Sequence, residues 1–227
     1  MQNSVQKSIT VLVTFVLLFL IEGFTYAYAM QLRTAELEVT PYLKAGTIAW
    51  DQLHGVGGHK FVMAGGLNTK INFNSLGFEI NFEKWLVAEG LDDDKGIIPK
   101  DGYSIFTNAK YFFRTTDNLL FYPYAGVGYE KWDRKDALTE WTSLKLFNLE
   151  FGVGLEHEKG HIRAGITKIF SASAQNSHNP VGRYGFIAEG KIKLLKELFV
   201  GLFFKYTGVE DPDAKMTYSG VITGYKF

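Results

Sequence analysis

Acidic, serine and histidine residues that could do chemistry cluster at a few places in this 227-residue chain. One acidic run is Asp92 to Asp94, and a second is Asp211 and Asp213 on either side of a proline. Paired carboxylates can support hydrolysis when a nearby histidine activates water as the general base. No histidine lies near Asp211 or Asp213, and the first run lacks the ligand spacing and bidentate Glu of a calcium loop. Both runs are therefore interpreted as solvated loop tips.

A serine, a histidine and an acid also lie close in sequence at Ser177, His178 and Glu189. A serine nucleophile needs a histidine within reach of its hydroxyl. Neighbouring residues on a strand point to opposite faces, so adjacency of Ser177 and His178 argues against that pairing. The segment His178-Asn179-Pro180 is more typical of a loop, and we expect no catalytic serine here.

The remaining histidines form two sparse pairs, His54 with His59 and His157 with His161. A zinc site needs three or four protein ligands, and neither pair has a third ligand in view. The chain contains no cysteine, which excludes disulfides, thiolate catalysis and cysteine-based metal sites. We therefore expect no metal, no cofactor and no enzymatic activity.

Alternation of apolar and polar residues is the most widespread pattern in the chain, and it predicts β-strands. Between 147 and 155 the odd positions are apolar, while the even positions carry polar residues or glycine. The same parity recurs with charges on the inward side, which favours a closed barrel with lipid outside and a polar lumen. Ten strands are predicted near residues 36–50, 60–73, 76–87, 104–114, 119–132, 144–157, 161–170, 184–193, 198–207 and 216–227.

The connections between these strands alternate in length. Four are tight, at 74–75, 115–118, 158–160 and 194–197, and five are longer. Short periplasmic turns alternating with long extracellular loops are typical of outer-membrane barrels, and an even strand number places both termini in the periplasm. The fold class is thus all-β, a closed antiparallel transmembrane barrel of ten strands. Eight strands remain the alternative, because 60–73 and 184–193 contain several polar residues.

The first 29 residues have the pattern of a cleaved secretory signal peptide. Lys7 precedes an uncharged apolar run from 9 to 21, and Ala27-Tyr28-Ala29 is a small-x-small cleavage site. Residues 30–227 then form the barrel domain, exported to the outer membrane. Removing one Lys and one Glu leaves 24 − 1 = 23 basic and 24 − 1 = 23 acidic residues. This neutrality excludes the basic surface that nucleic-acid binding requires.

The inward positions of the predicted strands collect seven acids and seven bases. Open aqueous channels need about 16 strands, so paired charges should largely fill a ten-stranded lumen. This set is Glu38, Lys44, Lys70, Glu79, Glu83, Lys110, Arg114, Glu130, Glu150, Glu156, Arg163, Glu189, Lys191 and Lys205.

Aromatic residues and a few lysines mark the two ends of the outward face. The predicted periplasmic girdle is Phe73, Phe113, Phe121, Tyr225 and Phe227, and the predicted outer girdle is Phe61, Tyr129, Tyr184 and Tyr206. Lys84, Lys131, Lys145 and Lys168 fall at outer strand ends, where lysines meet either lipopolysaccharide phosphates or solvent.

Two hairpin segments resemble small barrels of the outer-membrane-protein-A type, within the porin-like superfamily. They are Thr115 to Leu119 with the Gly-aromatic strand Tyr122 to Tyr129, and Pro41 to Gly46, which is similar to the first strand of that family. Tyr225 and Phe227 resemble the terminal signal recognised by the barrel-assembly machinery, although Ile222 stands where that signal usually has Gly. The resemblance implies a barrel, and no particular activity.

The sequence favours a monomeric outer-membrane protein with a structural or surface-interaction role, in contact with membrane lipid and lipopolysaccharide. A narrow pore or transporter is the second hypothesis. A hydrolase is the third, since the acidic pairs resemble those of omptin proteases, and lipid A deacylases use serine, histidine and an acid. Both families place the histidine two residues from its partner, an arrangement that Asp211, Asp213 and Ser177 lack.

Overall fold

Eleven β-strands make up the described part of the chain in this computed structural model, which covers residues 36–52, 58–87, 99–134, 143–174, 182–209 and 214–227. The strands are β1 Glu36–Gln52, β2 Gly58–Phe73, β3 Leu76–Val87, β4 Pro99–Tyr111, β5 Phe113–Thr116, β6 Leu119–Arg134, β7 Ser143–His157, β8 Gly160–Ala174, β9 Gly182–Lys193, β10 Leu198–Val209 and β11 Ala214–Tyr225.

Several sequence predictions concern residues outside this described part. They are the signal peptide at 1–29, the acidic runs Asp92 to Asp94 and Asp211 with Asp213, the pair Ser177 and His178, and His54. The backbone of His59 belongs to β2, but its side chain is likewise not described.

The strands form one antiparallel sheet that closes on itself. β1 pairs with β11 through a continuous register from Tyr42 opposite Gly224 to Gln52 opposite Ala214. β4 and β5 both pair with β6, so they are two parts of one strand interrupted at Phe112. The barrel therefore has ten strand positions, which confirms the predicted fold, and the eight-strand alternative is wrong.

Short turns connect the strands at one end of the barrel, which we call the turn end; the opposite end is the loop end. The turn between β2 and β3 consists of Asn74 and Ser75, and Asn74 has a φ of 52°. Asparagine tolerates this left-handed conformation, which two-residue hairpins of the primed type require. The other turns of this end lie between β5 and β6, β7 and β8, and β9 and β10, where tight turns were predicted.

The outward face of the barrel is apolar along most of each strand. In β7, Phe151 is 51% exposed and Val153 48% exposed, whereas Asn148 and Glu150 between the same neighbours are buried. The predicted parity holds equally in β3 and β10, where Ile80, Phe82 and Leu202 point outward. Such alternation gives each strand one hydrocarbon face and one lumen face. Among the described residues, no helix is long and apolar enough to cross a membrane.

Bulky aliphatic and aromatic side chains fill the lumen toward the loop end. Trp85 and Trp132 pack edge to face with ring centroids 4.2 Å apart, and Trp85 is 1% exposed. We call this set the apolar layer; its members are Ile48, Val62, Trp85, Trp132, Leu146, Ile169 and Met216. The sequence analysis did not predict it, because attention to charged inward positions left the apolar inward positions near the loops unassigned.

Tyrosine rings fill the middle of the lumen, and glycines on the facing strands make room for them. A Cβ at Gly66 would clash with the ring of Tyr42, and one at Gly154 would clash with the ring of Tyr122. These close approaches let the aromatic rings cross the lumen above the charged groups without expanding the barrel.

Candidate functional site

A cluster of buried charges centred on Arg163 crosses the lumen below the apolar layer. Arg163 extends from β8, with Nε 3.5 Å from Glu189 Oε1 of β9 and Nη1 3.8 Å from Glu79 Oε1 of β3. Glu79 also forms an ion pair with Lys110 of β4. Lys191 Nζ lies 2.8 Å from Glu189 Oε1. These contacts connect strands on opposite sides of the barrel, and they require the inward parity of all four strands.

His161 belongs to the same cluster, one inward position before Arg163 on β8. Its Nε2 lies 3.3 Å from Glu189 Oε1, and its side chain is largely buried. A histidine, an arginine and a lysine thus share Glu189, and no serine occurs in these contacts. Among the described residues, no group of three or more His, Asp or Glu side chains is arranged to hold a metal ion.

Two further ion pairs lie between the central cluster and the apolar layer. Lys44 pairs with Glu83, and the Tyr42 hydroxyl lies 2.9 Å from the same carboxylate. Lys205 pairs with Glu130. Each pair has one partner from the β1 or β10 side and one from the β3 or β6 side, so both brace the lumen across its width.

Glu130 joins the charged groups to the apolar layer. Asn148 Nδ2 donates a 3.1 Å hydrogen bond to Glu130 Oε1, and Trp132 Nε1 donates a 3.3 Å hydrogen bond to Oε2. Both carboxylate oxygens of this buried group therefore have partners, as a buried charge requires.

A last ion-pair group lies at the turn end. Glu38 of β1 lies 2.7 Å from Lys226 Nζ through Oε2 and 3.7 Å from Lys70 Nζ through Oε1. Thr40 Oγ1 donates a 3.2 Å hydrogen bond to the same carboxylate. These side chains are more exposed than the central cluster, since the lumen opens here to solvent.

The structure places thirteen of the fourteen predicted lumen residues on the inward face and moves one of them out. Arg114 is exposed in β5, which extends beyond the last pair of β3 and β4, Leu76 opposite Tyr111, and has only β6 as a neighbour. Its place in the charge balance is taken by Lys226, which the sequence analysis missed. Lys226 has the same parity as the buried Tyr218 and Ile222, and that signal could have identified it.

Glu150 differs from the other lumen acids because its close partner is a hydroxyl. Tyr124 donates a 2.7 Å hydrogen bond to Glu150 Oε1. No cation of the described residues forms an ion pair with it within 4.0 Å; Arg163 and Lys205 are its nearest favourable charges. The expectation that a cation pairs directly with Glu150 is therefore wrong, because the bulky Tyr124 ring occupies that position.

The packed lumen leaves two small cavities. One of about 60 Å³ lies among the charged groups beneath the apolar layer and is bordered by Glu83, Trp85 and Glu130. The other, of about 70 Å³, lies at the turn end and is bordered by Glu38, Lys70 and Lys226. No residue lines both cavities. Tyr42, Phe199 and the Arg163 cluster separate the two levels along the barrel axis.

Three of the four outward lysines lie on one row around the loop half of the barrel. Lys84 of β3 is opposite Tyr103 of β4, Tyr103 is opposite Lys131 of β6, and Lys131 is opposite Lys145 of β7. Like charges directly opposite each other on neighbouring strands are unfavourable, which makes this row a place for an anion.

Aspartates neutralise only part of this row. Lys84 Nζ lies 3.0 Å from Asp101, and Lys131 Nζ lies 2.8 Å from Asp133. Lys145 is exposed and has no ion-pair partner among the described residues. The fourth lysine, Lys168, lies elsewhere on the outward face, with Nζ 4.2 Å from the centroid of the exposed Tyr184 ring.

Aromatic side chains occupy both ends of the outward face. Tyr225 and Phe227 pack with ring centroids 5.0 Å apart at the turn end, where Phe113 and Phe121 also form a pair at 6.1 Å. Phe61 and Tyr184 are exposed nearer the loop end. Closure of the sheet, the apolar outer band and the polar lumen occur together in one architecture. The chain has the fold of a small outer-membrane β-barrel.

Three solved structures are similar to this barrel. Neisserial surface protein A is 13% identical, and the match covers 86% of this chain and 100% of that one with a TM-score of 0.42. Ail of Yersinia pestis, solved with the heparin analogue sucrose octasulfate, is 16% identical over 85% of this chain and 99% of that one, with a TM-score of 0.41. An outer membrane channel from Pseudomonas putida F1 is 10% identical over 87% and 97% of the two chains, with a TM-score of 0.40. No protein-family model and no curated protein matches the chain.

Proposed function

We propose that this protein is an integral outer-membrane barrel with a structural or surface-interaction role, and that it neither conducts ions nor catalyses a reaction. The observation that carries the proposal is the filling of the lumen, where the apolar layer and the Arg163 cluster succeed each other along the axis. Two separate cavities of about 60 and 70 Å³ are far smaller than an aqueous path through a membrane.

Conductance across a planar lipid bilayer tests the closed lumen. The protein should stay at background, because a passing ion would have to cross both the apolar layer and the buried ion pairs. Stable single-channel steps with cation or anion selectivity would instead establish the narrow-pore hypothesis. Assays for lipid A deacylation and for peptide hydrolysis, expected to be negative, test the absence of catalysis.

In the proposed orientation the turn end faces the periplasm and the loop end faces the cell exterior. The support is the difference in connection length, since outer-membrane barrels place their long connections outside. Protease added to intact cells should cut in the connections near 88–103 and 133–143, and should spare the turns at 115–118 and 158–160. Cleavage at those turns would invert the orientation.

We propose further that the outward lysines contact lipopolysaccharide phosphates. Lys131 and Lys145 lie directly opposite each other, and the unpaired Lys145 leaves the row with positive charge to be neutralised. A lysine near an anionic membrane surface contributes about 1 kcal/mol, which is roughly fivefold in affinity.

A binding assay with lipopolysaccharide vesicles tests this contact. Lys145→Gln should lower the affinity of the purified barrel, whereas Lys159→Gln should leave it unchanged, since Lys159 is exposed in a tight turn at the other end. Equal affinity of both variants and the wild type would remove the lysine row from the proposal.

A further inference from the structure

The cavity at the turn end is lined by more bases than acids. Three glutamates border it, namely Glu38, Glu156 and Glu197. Five lysines border the same space, namely Lys70, Lys191, Lys193, Lys196 and Lys226. This part of the lumen therefore departs from the charge balance seen deeper in the barrel, even when its histidines are neutral.

Ion pairs within the protein account for only part of this positive charge. Glu38 is shared by Lys70 and Lys226, and Lys191 pairs with Glu189 of the central cluster. Lys193 and Lys196 are exposed and form no ion pair with another described residue. Two cations thus border the cavity with their charge unmatched.

The cavity is also accessible from one side only. Lys226 remains about one-third exposed at the turn end, so solvent reaches the mouth. On the inner side, Tyr42 and Phe199 border the space and the Arg163 cluster follows behind them. The volume of about 70 Å³ is several times the roughly 10–15 Å³ that one water needs, which suits a small multivalent ion.

We propose that this cavity, the turn-end vestibule, binds a small oxyanion of the phosphate class taken from the surrounding solution. Lysine ammonium groups bind phosphate oxygens through charge-assisted hydrogen bonds, and here they converge from β2, β9, β11 and the turn after β9. The vestibule is blind, so the anion is held at the barrel end and is not transported. The site goes beyond the proposed structural role and does not depend on which way the barrel is oriented.

Inorganic phosphate is the probe that tests the vestibule. The full barrel in phosphatidylcholine nanodiscs should show saturable binding of phosphate by isothermal titration calorimetry and by broadening of the ³¹P resonance. Lys196→Gln should weaken binding about tenfold, the effect of one charge-assisted contact. Lys226→Gln should weaken it as well, from the opposite wall. Lys159→Gln is the matched control, since it removes the same charge at the same end outside the vestibule and should bind like the wild type.

Three results would overturn the proposal. Absence of saturable phosphate binding would remove the site, and equal affinity of Lys196→Gln, Lys159→Gln and the wild type would reduce it to general attraction by the mouth. Repeating the titration in nanodiscs that contain phosphatidylglycerol separates a dissolved anion from a lipid headgroup. Binding should persist there, and its loss would assign the lysines to the headgroup. Background conductance in the same preparation keeps this test independent of the closed-lumen proposal.

Discussion

The two halves of the lumen are filled by different physical means. Toward the loop end, Trp85, Trp132 and their aliphatic neighbours fill space by shape alone. Toward the turn end, Arg163, Glu79 and Glu189 fill it with charge, and each group depends on a partner from another strand. Apolar packing tolerates small losses of volume, whereas a buried charge tolerates no loss of its partner. The two halves should therefore fail differently when one side chain is removed.

The largest loss of stability is expected from Glu79→Ala in the charged half. Glu79 is 4% exposed and pairs with both Lys110 and Arg163, so its removal leaves buried cations without a counter-charge. Breaking a buried pair in this way costs about 3–5 kcal/mol. Urea unfolding in lipid vesicles, followed by tryptophan fluorescence, measures the change in free energy of unfolding.

An exposed acid provides the control for Glu79→Ala. Glu158 is exposed in the turn between β7 and β8, and Glu158→Ala should change the free energy of unfolding by less than about 0.5 kcal/mol. If Glu79→Ala were as mild as Glu158→Ala, the charged half would be hydrated, and the contrast between the two halves would disappear.

The apolar half should lose less from its largest side chain. Trp85→Ala removes a ring that packs against Trp132, and truncating a buried tryptophan costs about 3 kcal/mol at the lower end of the usual range. The lower end is expected because Trp85 borders the cavity of about 60 Å³, into which water can extend. Bilayer conductance should remain at background, since the Arg163 cluster still blocks the axis. Appearance of channels in Trp85→Ala alone would show that the apolar layer is the only barrier.

The sequence was sufficient to predict the barrel, because closure requires the same alternation in every strand. Each of the ten predicted strands corresponds to an observed one, and the predicted outward side chains, Phe82 and Leu202 among them, face outward. Turn chemistry fixed the ends, as at Asn74 and Ser75. The break at Phe112 was not predictable, since it arises where β3 ends before its neighbour does and the Phe112 amide donates to Ser75.

Partners inside the lumen were harder to predict than the faces of the strands. Parity assigns a side chain to the interior, but the strand stagger decides which other strand it reaches. Arg114 has inward parity and still lies outside the packed lumen, whereas Lys226 follows the last strand and reaches Glu38. The apolar layer was missed for a different reason, because inward Trp and Ile residues near the loops do not stand out by composition.

Glu150→Ala sharpens the comparison within the charged half. The variant leaves the Tyr124 hydroxyl buried without its acceptor and does not break a close ion pair, so the expected loss is about 2 kcal/mol, less than for Glu79→Ala. Urea unfolding of Glu150→Ala, Tyr124→Phe and the double variant forms a double-mutant cycle that isolates this contact. A loss for Glu150→Ala as large as that for Glu79→Ala would mean that a cation depends directly on Glu150. Unchanged stability with altered ion selectivity would instead establish an aqueous path through the lumen.

The smallest change in stability is expected outside the lumen, at the end of β11. Phe227 is 75% exposed, and its amide donates a 3.0 Å hydrogen bond to the Val39 carbonyl, so deleting it should cost about 1 kcal/mol. Its proposed role is recognition by the barrel-assembly machinery, which acts before the lumen is packed. The amount of folded barrel in cells should therefore fall several-fold on deletion, although the purified deletion variant unfolds at nearly the wild-type urea concentration.

Phe227→Tyr separates the two contributions, because it keeps both the backbone hydrogen bond and a terminal aromatic ring. Its yield in cells should match the wild type, while Phe227→Ala, which keeps only the hydrogen bond, should assemble as poorly as the deletion. Equal yields for all four proteins would show that the terminal ring has no part in assembly. The terminal pair of Phe227 and Tyr225 would then serve only as part of the aromatic girdle, packed ring against ring at the turn end.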